Sequence, residues 1–303
     1  MSYRVLKETW VNKNIENYYK HKKFLGLITR CKDEFFIKEF TDYYLSQGVD
    51  TIYILDDNSN DKSIYDNITD NRVIIKFKHN IVGPNDITGM AVVNNLYSRI
   101  KDDYEWIIFV DADEFITTKK NFDKTIRDEL KTTFKDVDYI RIPWVLMSST
   151  LNKNPKSILD SIVHRINQNK KHDNPSGLEK FDCSYNIILC KYIIRTRKFN
   201  YLKTHRGMRS VNNPIYVCGV TGKKINIYED TQGKFSNLRE KHIKNGYLLC
   251  YHYRIISREN TLNKHNNNYW YNGDEYDVDK IMKVYLPEVK DETLKIKKNK
   301  LNF

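Results

Sequence analysis

No stretch of the chain approaches the ~18 apolar residues needed to span a bilayer. The opening segment, Met1-Ser2-Tyr3-Arg4-Val5-Leu6-Lys7, has no apolar run of the signal-peptide kind. A membrane-anchored enzyme of the secretory pathway is therefore not expected; a soluble, cytoplasmic protein is, with peripheral membrane contact left open. The cysteines are Cys31, Cys183, Cys190, Cys218 and Cys250, an odd number at wide spacing with no C-x-x-C pair. That pattern argues against a zinc site or a disulfide framework and for buried, reduced thiols. Neither a P-loop nor a Gly-rich dinucleotide fingerprint occurs, Gly83 and Gly89 being isolated, so ATP-driven and nicotinamide chemistry have no support. Internal repeats and recognised nucleic-acid motifs are also lacking.

What is present is a globular composition, 40% hydrophobic and 13% aromatic, in 303 residues. That length fits a single large α/β domain burying roughly 75% of its unfolded surface. Basic residues outnumber acidic ones 51 to 39, giving a net charge of +12. Such a surface attracts phosphates, acidic polymers or anionic lipid heads. Lys, Asn, Ile and Tyr also have AT-rich codons, so genome bias can supply much of the lysine with no partner involved.

Apolar patterning places strands at residues 24–29, 51–55, 72–77 and 106–110. Helical spacing falls between them at 34–47, from near Asp61, and at about 88–100, with Gly48 placed to stop the first helix. Alternating strands and helices imply a mostly parallel, doubly wound sheet. Beyond Asp113 the pattern gives a helix over 122–134, a strand over 139–147 interrupted by Pro143, and loops over 150–182. One long strand or a pair follows over 185–196, then a strand over 248–256 and a solvated lysine-rich tail over 290–300.

Polar clusters sit where three of the strands end, at Arg30 to Glu34, Asp56 to Asn58 and Asp111 to Glu114. Open α/β sheets bind ligands beyond the carboxyl ends of their strands, so one shared cleft is expected. Alternate strand residues point the same way, so Asp111 and Asp113 can face one ligand. Two neighbouring carboxylates repel unless a proton or cation lies between them. Mn²⁺ and Mg²⁺ prefer oxygen ligands and bridge carboxylates to a diphosphate.

Two segments carry a family resemblance. Asp56-Asp57-Asn58-Ser59-Asn60-Asp61-Lys62-Ser63 resembles the DD-x-S-x-D-x-S/T segment of GT-A-fold glycosyltransferases. Trp106-Ile107-Ile108-Phe109-Val110-Asp111-Ala112-Asp113-Glu114-Phe115 resembles their W-x-x-F-x-D-x-D-E-F segment. Arg30-Cys31-Lys32-Asp33-Glu34, Gly48-Val49-Asp50 and His252-Tyr253-Arg254-Ile255-Ile256-Ser257 follow the order of the family 2-like branch related to glycosyltransferase family 92.

The resemblance implies a GT-A-like, Rossmann-like α/β fold over residues 23–280, with a nucleotide-sugar half (about 23–120), an acceptor half (about 121–280), an N-terminal arm (1–22) and a basic tail (281–303). It implies a transferase moving a sugar from a nucleoside diphosphate, UDP favoured, to a glycan, protein or lipid hydroxyl, with inversion and with Mn²⁺ or Mg²⁺. Asp57 would contact the base, beside Thr29 and Arg30. Asp111 would meet the ribose or the metal, and Asp113 would ligate the metal. His252 would be a third ligand or a diphosphate contact, with His205 as its rival and packing between Tyr251 and Tyr253 as the alternative. Arg254 would pair with the diphosphate. For the catalytic base, Glu179 and Asp182 lie in the right region, and Asp160 is a further possibility. Two other readings stand beside this one: a nucleotidyltransferase, which would release pyrophosphate, and a non-catalytic basic protein binding glycans or nucleic acid.

Overall fold

The computed structural model of the chain describes residues 23–77, 89–170, 172, 187–205, 207–209, 213–226, 234–266 and 277–303. Strands β1 (Lys23–Cys31), β2 (Thr51–Asp56), β3 (Val73–Phe77) and β4 (Tyr104–Asp111) pair in parallel in the order β3-β2-β1-β4. Side chains alternate between the two faces of this sheet. Leu25, Leu27, Ile52 and Ile54 join Ile37, Phe40 and Tyr44 of the helix Ile37–Ser46 in one core. Ile28, Tyr53 and Leu55 join Val93, Leu96 and Tyr97 of the helix Gly89–Ile100 in the other. Because both faces are covered, these strands read as continuous apolar runs. Gly48, at φ +87°, turns the chain out of the first helix in a conformation that a side chain would strain.

The second half departs from a parallel sheet. Its strands are β5 (Glu114–Thr118), β6 (Tyr139–Ser148), β7 (His164–Arg165), β8 (Ile187–Arg195), β9 (Phe199–Leu202), β10 (Gly207–Arg209), β11 (Tyr216–Cys218), β12 (Lys234–Ser236), β13 (Leu248–His252) and β14 (Val289–Lys290). β8 lies antiparallel between β4 and β6. β13 pairs parallel with β6 and antiparallel with β5. The sheet is therefore mixed, with 12 strands among the described residues.

Pro143, expected to interrupt β6, sits inside it. It occupies the last register position against β8, and the next residue, Trp144, pairs with β13 instead. A proline lacks the N–H that a ladder needs, and it is tolerated where the strand changes partners.

Other expectations shift in extent. The helix expected near Asp61 is one 3-10 turn, Ser63–Tyr65. The helix expected over 122–134 is the shorter Ile126–Lys131, started by a capping box between Thr125 and Asp128. The loops over 150–170 contain the short helix Ile158–Ser161 and β7. Cys31, Cys190, Cys218 and Cys250 are buried free thiols, whereas Cys183 lies outside the described residues. No helix among the described residues is long and apolar enough to cross a membrane.

The tail is not solvated. Thr293–Leu301 forms a helix whose Leu294 and Lys297 are buried. The Lys297 stem packs inward while its ammonium donates to Thr118 and to the Lys124 carbonyl (3.3 Å). Lys298 pairs with Glu39 at 2.8 Å and Asp160 at 2.6 Å. Just before the helix, buried Asp291 accepts hydrogen bonds from Arg165 Nε at 2.9 Å and the Tyr251 hydroxyl at 3.0 Å.

Arg165 keeps Glu240, which its Nη1 and Nη2 meet at 2.7 Å, so removing Asp291 costs charge-assisted hydrogen bonds and does not strand the guanidinium. Asp291→Ala should therefore destabilise the fold by about 2 kcal/mol, read as a lower urea midpoint. An unchanged midpoint would show that the Asp291 hydrogen bonds contribute nothing to stability.

Candidate active site

The parallel registers bring the polar strand ends together. Arg30 stands opposite Asp111 in the β1–β4 pair, and Cys31 opposite Asp56 in the β1–β2 pair. These ends open into a cleft of about 600 Å³. Arg30, Asp57, Asp111, Asp113, His252 and Arg254 all line it, so six of the residues singled out from the sequence share one site. Thr29 is fully buried within β1, its hydroxyl donating to the Arg30 carbonyl at 3.3 Å. Asp160 is held by Lys298. Glu179 and Asp182 lie outside the described residues.

The Asp56-Asp57 pair divides its labour. Asp56 is buried and structural, accepting from the Tyr65 hydroxyl at 2.7 Å and from Lys62. Asp57 follows the end of β2, its N–H donating to the Cys31 carbonyl at 2.8 Å, and faces the cleft.

The D-x-D-E turn divides likewise. Asp111 is gripped from two sides. Arg30 Nε and Nη2 donate to its Oδ1 at 2.9 and 2.5 Å, and Lys191 Nζ donates to its Oδ2 at 2.8 Å. Burial pushes the Asp111 carboxyl up, but these two cations outweigh it and hold it well below the usual carboxylate range. Asp113 points elsewhere. Its carboxylate lies 3.6 Å from His252 Nε2, and its carbonyl accepts from the Tyr253 N–H at 2.8 Å. Antiparallel pairing of β5 with β13 sets Glu114 opposite His252. As a result, ligand atoms of Asp113, Glu114 and His252 lie within 4.8 Å of one another.

Asp111 thus stands among cations, and among the described residues the group with metal-ligand spacing is Asp113, Glu114 and His252. Burial pushes His252 below its ordinary value, against the pull of Asp113, which favours the neutral imidazole a metal needs. His205 also lines the cleft, its ring 5.3 Å from that of Trp144, but it is not part of the three-residue group.

Sequence reasoning missed several site residues. Lys191 is fully buried, 2.8 Å from Asp111 and 3.1 Å from Glu114. Burial works against its charge, but both carboxylates hold its pKa above the ordinary lysine value. The available signal was a single lysine inside the apolar run Ile187-Ile188-Leu189-Cys190-Lys191-Tyr192-Ile193-Ile194, since such a charge is not buried unless paired. Glu34 and Lys264, joined at 2.8 Å, and Trp144, 4.2 Å from the His252 ring, also line the cleft.

The model of glycosyltransferase family 92 matches residues 34–299. The chain belongs to glycosyltransferase family 92. It is therefore a glycosyltransferase, and the family match takes in the mixed half of the sheet and the strand-end cleft apart from Arg30, Cys31 and Lys32. No curated protein sequence matches the chain. A solved structure titled "Crystal Structure of a Mycobacterial Protein" aligns with 41% of this glycosyltransferase and 41% of its own chain, at 13% identity and a TM-score of 0.27. A score that low carries no argument about the fold.

Glu114 carries the pH signature of the site. Burial, then the charges of Asp111 and Asp113, push its carboxyl up to about 8 against the opposing pull of Lys191. Its folded pKa exceeds its unfolded one, so the native state binds the extra proton between about pH 4.5 and 8. The metal-free protein should lose stability across that window as pH rises, and Glu114→Gln should flatten the loss. Equal slopes of urea stability against pH in the two proteins would contradict this.

Proposed function

We propose that the chain transfers a sugar from a nucleoside-diphosphate sugar, with a UDP-sugar favoured, to an acceptor hydroxyl, with inversion and with Mn²⁺ or Mg²⁺. The observation that carries this reading is the convergence of Asp113, Glu114 and His252 within 4.8 Å, in a cleft at the carboxyl ends of parallel strands. Two carboxylates and a neutral imidazole suit Mn²⁺. A buried atom without a partner points the same way: Glu114 Oε1 has no hydrogen-bond partner among the described residues. The ion, when bound, stabilises the charge that builds on the departing diphosphate.

The chain's own residues divide the remaining work. Asp57 is assigned to the nucleobase and Asp111 to the ribose side, where Arg30 and Lys191 fix its orientation. Arg254 lines the cleft and can meet phosphate oxygens with a bidentate guanidinium. Lys191 keeps the carboxylates from repelling one another before the donor arrives. A carboxylate base takes the acceptor proton as the anomeric carbon is attacked, and Glu179 and Asp182 keep that assignment from the sequence.

The test is thermal stability with UDP, GDP, CDP and ADP, each with and without Mn²⁺. One nucleotide should raise the melting temperature in a metal-dependent way, since binding at a hundredfold excess over Kd stabilises the folded state by about 2.7 kcal/mol. Asp113→Ala should abolish the metal-dependent shift while leaving the metal-free melting curve cooperative. A full metal-dependent shift in that variant would remove the central claim.

The pH dependence follows from Glu114. A ligand must shed its proton to bind metal, and this carboxyl is held up at about 8. Apparent Mn²⁺ affinity should therefore rise from pH 6 to pH 8, measured by titration calorimetry. A flat or falling affinity would exclude Glu114 as a ligand.

A further inference from the structure

A second cavity, of about 500 Å³, lies at the far end of β5 and shares no lining residue with the cleft. Glu114 begins β5 at the cleft. Lys119, just past the other end of β5, lines this cavity, roughly 16 Å away along an extended strand. The helix Glu240–Asn245, β14 and the helix Thr293–Leu301 supply most of the remaining walls. None of its residues takes part in the proposed transfer.

The charges of the lining do not cancel. Among the described residues, five basic side chains stand beside three acidic ones. The three carboxylates are already engaged. Glu240 meets Arg165 at 2.7 Å, Asp291 meets Arg165 at 2.9 Å and Lys119 at 3.4 Å, and Glu292 meets Lys290 at 2.8 Å. Lys241 and Lys244 are left over. Both are exposed, and neither has an ion pair or a hydrogen bond from its ammonium among the described residues. They stand three positions apart on one short helix, so they share a face, where like charges repel. An anion between them relieves that repulsion.

Apolar side chains stand among these charges. Ile296 is 53% exposed, and half-buried Phe122 lines the same cavity. A free phosphate gains nothing from an exposed isoleucine. An anionic lipid uses both features, because its headgroup meets the ammonium groups and its hydrocarbon boundary takes the apolar side chain. No helix among the described residues can cross a bilayer, so these residues can meet a membrane only from its surface.

We propose that this cavity binds the headgroup of an anionic phospholipid and so holds the chain against a membrane surface. Lys241 and Lys244 meet the phosphate, and Ile296 enters the acyl boundary. Neither the sugar donor nor the metal enters this inference.

The experiment is co-sedimentation of the full chain with vesicles of phosphatidylcholine alone and of phosphatidylcholine with phosphatidylserine, at physiological ionic strength. Thermal stability with inorganic phosphate is recorded in parallel. A net charge of +12 by itself draws the chain to anionic vesicles, so the comparison is between variants of equal charge. The chain should bind the mixed vesicles and not phosphatidylcholine alone. Lys241→Ala with Lys244→Ala should weaken that binding about tenfold or more. Lys135→Ala with Lys153→Ala removes the same charge from exposed positions outside the cavity, and should change binding less than about threefold. Ile296→Ser, which leaves the charge unchanged, should also weaken it. All three proteins should keep the parent melting temperature and nucleotide response. Absence of binding to the mixed vesicles, an equal loss in the two double variants, or full binding by Ile296→Ser would overturn the proposal. So would stabilisation by inorganic phosphate that Lys241→Ala with Lys244→Ala removes, in a chain that binds no vesicle, since the site would then serve a soluble anion.

Discussion

The site depends on one buried ammonium. Three carboxylates, Asp111, Asp113 and Glu114, crowd the end of β4, and crowded carboxylates repel. Lys191 reaches Asp111 and Glu114 from β8 at 2.8 and 3.1 Å, with no exposure to water. Its own burial is costly and is offset by these two partners. Arg30, half-buried at the cleft wall, holds the other side of Asp111. With Asp111 fixed by cations, Asp113 and Glu114 are left to converge on His252.

That arrangement explains why the sheet is mixed. A fully parallel sheet would bring another strand end, with its own polar loop, beside β4. An antiparallel β8 instead lays the middle of a strand there, and Lys191 is a mid-strand residue. β6 then carries β13 alongside β5, which sets His252 opposite Glu114. One half of the molecule thus presents the strand ends, and the other contributes Lys191 and His252, which complete them.

Much of the first half was legible locally. β1, β2 and β4 are covered on both faces and so appear as unbroken apolar runs, and the helix Ile37–Ser46 shows its buried face at helical spacing. Asp57, Asp111 and Asp113 could be singled out because each ends such a run or lies within two residues of its end. Beyond Asp113 the signals weaken, because the stabilising partners are distant in sequence. Pro143 reads as a break, yet it marks a change of strand partner. The lysines after residue 290 read as a solvated tail, yet Lys297 donates to Thr118, 179 positions earlier.

The sequence by itself determined that strand ends carry acidic clusters, that those clusters share a cleft, and that the Asp-x-Asp segment lies in it. These follow from periodicity and from the rule that parallel strands open on one edge. The tertiary structure alone decided which carboxylate faces which charge. Asp111 and Asp113 are two residues apart, but one points to Arg30 and Lys191 and the other to His252. The physical reason is that charge compensation acts through space. Lys191 is 80 positions from Asp111 along the chain and 2.8 Å from it in the fold.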